Sequence, residues 1–188
     1  MKKSPVRKLT IAALLIAMGV VIPMVMPRIV IGPASFTLAS HVPLFAAMFF
    51  SPNIALAVAI GTAFGFLMTT PLIIALRALS HVVFAVIGAK YLQQHPEIVL
   101  DKRKFQLYNL WIGLLHSAVE LIVVAVFFFT GNSAGATYEG NLYVFLFGFM
   151  GVGGLIHSMI DYNIAFFVMQ ALSRTFDVPV FQKAKELQ

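Results

Sequence analysis

Apolar residues run along this chain in blocks long enough to cross a bilayer, and polar residues gather at the joints between them. A hydrocarbon core of about 30 Å takes about 20 apolar residues in a helix. Blocks at 9–26, 40–51, 53–69, 72–93, 105–130 and 142–172 therefore predict an all-α integral membrane protein, a single transmembrane domain over 1–188 with six helices. The second block is short for a full crossing unless it borrows from "PASFTLAS", so a half-helix or short span is expected there. Pro52 in "SPN" and Pro71 in "TTP" stand where a following helix begins. Pro23 and Pro27 close the first block and predict a kinked or unwound exit. That block opens on basic residues like a signal peptide, but no small-x-small cleavage site closes it, and it reads as a retained helix.

Composition agrees with the pattern: 60% of the 188 residues are hydrophobic, 11% are charged and 18 are Phe. Mean hydropathy is +0.93, far above a soluble domain. Cysteine is absent, which excludes disulfides, thiolate-bound zinc and a thiol nucleophile. The net charge of +6 does not mark a nucleic-acid binder, because the basic residues lie in short clusters between apolar runs. It speaks instead to orientation. Lys2, Lys3, Arg7 and Lys8 precede the first helix; Lys90, Lys102, Arg103 and Lys104 flank the loop after the fourth; Arg174, Lys183 and Lys185 follow the last. These eleven of the thirteen basic residues share one side if the chain crosses six times, which predicts two cytoplasmic termini in a cell-membrane protein. By the same parity "RIVIGPASFTLASH", "MTTP" and "TGNSAGATYEGN" lie outside, and the first is a semi-apolar loop suited to fold over a cavity as a lid.

The two remaining basic residues are Arg28, in that loop, and Arg77, inside the fourth block. An ionisable group within a membrane is costly and functional by default. Three helices carry such groups, each as an i,i+4 pair: Arg77 with His81, His116 with Glu120, and His157 with Asp161. That spacing sets both members on one helical face, so three polar stripes are expected to face one another around a cavity open to the outside. From the helical rise, Arg77 and Glu120 fall in the outer half to middle, with His157 and Asp161 deeper. The bland alternative is that the groups simply join helices, Arg77 with Glu120 and His157 with Asp161 or a Ser. Three His with Glu and Asp also have the chemistry of a metal site, but no H-E-x-x-H-like cluster is present and Arg77 would repel a cation. A guanidinium facing an enclosed pocket selects an anion, with a fork matched to a carboxylate. No triad, G-x-S-x-G elbow or P-loop is found, so the chain is expected to be no enzyme and unable to use ATP itself.

The small size, the six-block pattern with a long outer loop after the first helix, and "AALLIAMG" within that helix resemble the substrate-binding S-components of energy-coupling factor (ECF) vitamin transporters. "MPRIVIGPASFTLASHVPLFAAMFFSP" and "ALRALSHVVFAVIGAKYL" look most like the niacin branch. The resemblance implies that Ala13 and Ala17, an A-x-x-x-A pair, dock on a shared transmembrane T-component driven by two ATPases, which use the ATP. Small residues four apart do let a second helix approach closely in lipid. It further implies a lid over residues 28–41, with Arg28 and His41, and a binding step from outside followed by toppling. Niacin suits the residues. Arg77 would take its carboxylate, His81 or His116 its ring nitrogen or carboxylate, and Trp111, Phe84 or Tyr162 would stack on its ring. Another small anionic vitamin stays open. A stand-alone proton-coupled carrier is the other alternative, and it would normally show an internal repeat, of which the sequence has none.

Overall fold

A computed structural model describes residues 5–31, 34–130, 141 and 143–187. The elements are helix α1 (Pro5–Val25), a hairpin of β1 (Arg28–Ile31) and β2 (Ala34–Thr37), α2 (Val42–Phe50), α3 (Pro52–Thr69), α4 (Leu72–Gln94), a short 3₁₀ turn (Pro96–Leu100), α5 (Lys102–Phe129), a π-helical stretch (Val144–Gly153) continuing into α6 (Gly154–Leu172), and α7 (Pro179–Lys185). Among the described residues, five helical segments are long and apolar enough to cross a membrane: α1, α3, α4, α5 and Val144–Leu172. The expected outer loop over 130–141 lies, apart from its two end residues, outside the described residues.

The second block explains itself through burial. At nine residues α2 is about 13 Å long, well short of a bilayer core. It is apolar on every side, and every residue from Val42 to Phe49 is buried. A helix hydrophobic all round belongs in the centre of a bundle, and α2 packs there against α1, α3, α4 and α6. Phe45 stacks on Tyr162 at 4.3 Å between ring centroids, and Phe49 stacks on Phe181 of α7 at 5.5 Å. These rings plug the side of the bundle away from the lid.

Helix α1 lies at the edge and buries little besides Ala12 and Gly19. Its contact with α3 is close because glycine allows it: a Cβ on Gly61 would collide with Ile16, and one on Gly65 with Val20. The helix runs through Pro23 to Val25, and the chain then turns directly into the hairpin. That hairpin, antiparallel with Arg28 opposite Thr37 and Ile29 opposite Phe36, gives the lid a β structure within an otherwise helical protein.

Candidate functional site

The segment that follows the hairpin is held by hydrogen bonds to α6, most of them to one residue. Asp161 of α6 is fully buried, and its carboxylate accepts the backbone N–H groups of Ala39 and His41, each at 2.9 Å, at Oδ1 and Oδ2. The His41 ring adds Nδ1 to Oδ2 at 3.2 Å, and Ser40 Oγ reaches His157 Nε2 at 3.2 Å. Ala39 is held at φ 64°. That left-handed conformation costs a non-glycine residue about 1–2 kcal/mol, so the two hydrogen bonds hold the lid's end in strained backbone. Farther up, Phe36 rests against Gly153, where a Cβ would crowd its ring, and meets His157 edge-on at 5.7 Å.

The second carboxylate binds side chains instead. Glu120 of α5 accepts Arg77 Nη2 at 3.1 Å on Oε2 and His81 Nε2 at 2.9 Å on Oε1. His116, one turn earlier on α5, holds Ser158 Oγ with Nδ1 at 2.9 Å, while its Nε2 stands 3.7 Å from Glu120 Oε1. His41 sits among them, its ring 5.0 Å from His81, 4.6 Å from His116 and 5.1 Å from His157. The three i,i+4 pairs thus converge. The partnerships Arg77–Glu120 and His157–Asp161, the latter at 3.6 Å, both form. Helix α6 brings Asp161 against Ala39 and His41.

Between lid and helices lies a cavity of about 520 Å³, within the usual range for small-molecule sites. Arg28, Phe36, Thr37, Ser40 and His41 line it from the lid, Thr62 and Phe66 from α3, Arg77 and His81 from α4, and Glu120 and His157 from α5 and α6. Its charged lining among the described residues is two guanidiniums, Arg28 and Arg77, against one carboxylate, Glu120. Two buried polar atoms of lining residues lack a partner, Arg77 Nε and Thr62 Oγ1.

Several sequence candidates lie elsewhere. Trp111 is 40% exposed on α5 and packs beside Tyr91 at 5.7 Å, more than a helical turn from His116, so the structure does not bring it to the cavity. Phe84 and Tyr162 are fully buried behind the histidines and do not line it. His116 and Asp161 support it from behind. Ala13 and Ala17 are exposed on the outer face of α1, away from the cavity. Residues that sequence reasoning passed over are Ser40, Ser158, Phe36 and Thr62. The serines adjoin named histidines, which was a usable signal; Thr62 is one hydroxyl in a bland helix and offered none.

The chain is similar to the niacin transporter NiaX of Lactococcus lactis subsp. cremoris, with 46% identity over 188 residues that cover 99% of this chain and 83% of the relative. The chain belongs to the NiaX family. Membership agrees with the likeness carried by its first helix and outer loop to the niacin branch of the ECF S-components. A relative spanning nearly the whole chain is a transporter, which makes this NiaX-family chain a multi-pass transport protein and not an enzyme. No family model matches the chain, and no solved structure matches it.

Proposed function

We propose that this chain is the high-affinity niacin-binding subunit of an ECF-type importer, the vitamin occupying the cavity beneath the β-hairpin. The observation that carries the reading is the cavity's charge: Arg28 and Arg77 face a single carboxylate, leaving one positive charge for an anion. Nicotinate, a small aromatic carboxylate, meets that charge, and the NiaX relative is a niacin transporter. Arg77 presents its guanidinium to the vitamin's carboxylate while Glu120 keeps Nη2 in place. Arg28 closes over the carboxylate from the lid. Phe36 covers the ring from the hairpin, and Thr62 and Phe66 of α3 line the opposite wall.

In this reading α2 is the short sixth element, both termini are cytoplasmic, and the lid faces outward. The exposed Ala13–Ala17 face of α1 meets the T-component, and two ATPases supply the energy through it. Its small side chains and slight burial suit it to receive a helix within the bilayer.

Calorimetry on the detergent-solubilised chain tests the ligand. Nicotinate is expected to bind at least about 100-fold more tightly than nicotinamide, because only the acid pairs with the guanidiniums. Equal affinities would remove Arg77 and Arg28 from the site.

A further inference from the structure

The histidines gathered at the cavity wall, His41, His81 and His157 in its lining and His116 behind them, are more than a packing cluster. One ligand atom from each of His41, His81, His116 and Glu120 lies within 4.8 Å of all the others, although the four residues come from the lid's end and two separate helices. Three imidazoles and one carboxylate are a donor set suited to tetrahedral zinc, and to cobalt or nickel.

A second observation points into the same space. His116 is 2% exposed, and its Nε2 has no hydrogen-bond partner. In the tautomer whose Nδ1–H donates to Ser158 Oγ at 2.9 Å, Nε2 carries a lone pair and stands 3.7 Å from the carboxylate oxygen Glu120 Oε1. In that tautomer two acceptors face each other in a buried site, and a cation between them would relieve the repulsion. Two other members, His41 and Glu120, are braced as metal ligands usually are, with the far side of the ligand held by an outer partner. His41 gives Nδ1 to Asp161, leaving Nε2, and Glu120 gives Oε2 to Arg77, leaving Oε1 for the histidines. Arg77 is therefore a brace on the ligating carboxylate, not a competitor for its place. His81 joins by carrying its proton on Nδ1 instead of Nε2.

We propose that His41, His81, His116 and Glu120 form a binding site for one divalent transition-metal ion, of the coordination preference of zinc, beside the vitamin cavity. His41 is the lid's contribution, so the ion links the lid's end to α4 and α5. It also adds positive charge next to the anion-accepting guanidiniums.

The full chain in detergent, stripped with a chelator and dialysed, tests the site with cobalt(II) as the probe. The expected result is a single equivalent of cobalt with the intense visible absorption of tetrahedral coordination, displaced by zinc. His116→Gln should abolish it, and Ser158→Ala, which removes only the outer partner, should weaken it about 10-fold. Nicotinate titrated into the stripped protein runs alongside, so that loss of the metal site and loss of the vitamin site are told apart. Wild-type protein that takes up no stoichiometric cobalt overturns the proposal whatever nicotinate does. So does equal binding by the wild type and a folded His116→Gln. Should His116→Gln fail to fold, His41→Ala at the lid's end serves in its place, with the same loss expected.

Discussion

Glu120 and Asp161 occupy the same place in the same short pattern, four residues after a histidine on neighbouring helices, and both are buried. They hold different things. Glu120 receives side chains from α4, one packed helix bonded to another, while Asp161 receives main-chain N–H groups from the end of a hairpin. A carboxylate between two rigid helices is part of the scaffold, and losing it strands a half-buried guanidinium. A carboxylate that grips the backbone of a short, strained lid segment controls a piece that can leave without unfolding the rest. One sequence pattern thus supplies a weld in one helix and a latch in the next.

The largest effect expected from breaking this contrast is at the weld. Glu120→Ala should cost up to about 3–5 kcal/mol, read as a large fall in Tm or loss of folded protein from the membrane, since the half-buried Arg77 is left unpaired. The paired change Arg77→Met with Glu120→Gln should recover most of that stability yet bind no nicotinate. A double variant that stays as unstable as the single one would show that the ion pair is not what Glu120 supports.

Asp161→Ala should be gentler on the fold and harsher on retention. The two N–H bonds to a charged acceptor contribute about 1.5–3 kcal/mol each to the closed lid. Nicotinate release, followed by stopped flow, should accelerate about 10–100-fold, which corresponds to only part of that energy. Tm should fall clearly less than for Glu120→Ala. If the two variants melt alike, the latch is scaffold too and the contrast fails.

The smallest effect on the isolated protein belongs to a third region, the outer face of α1. Ala17→Trp adds bulk where nothing in the chain packs, so Tm and nicotinate affinity should stay unchanged, while co-purification with the T-component is lost. A drop in Tm would mean that this face supports the fold.

The long helices were legible because a bilayer demands apolar length, and residues 53–69, 72–93 and 105–130 stand within a few residues of α3, α4 and α5. The three polar pairs were legible because four-residue spacing speaks directly about one helical face. His41 was named as a lid residue, but nothing local to "ASHVP" shows that its ring reaches His81, His116 and His157 at once. Trp111 was attractive by chemistry alone; it sits on α5 beside the Tyr91 and Tyr108 rings and does not line the cavity. The hairpin was missed since "RIVIGPASFT" is short, and two strands need a packed surface to persist. Here Gly153 and His157 provide it under Phe36.

By itself the sequence determined the solvent this protein lives in, the segments that cross it, and the helical faces that carry charge. Each of these follows from periodicity and from the cost of polar groups in lipid, which act along a single segment. Tertiary structure alone decided that α2 fills the centre of the bundle, that Asp161 takes the lid while Glu120 takes Arg77, and that four histidines from four parts of the chain meet beside one cavity. Those outcomes depend on which faces pack together, and in lipid that choice is made by close contact between distant segments, for which local pattern carries no code.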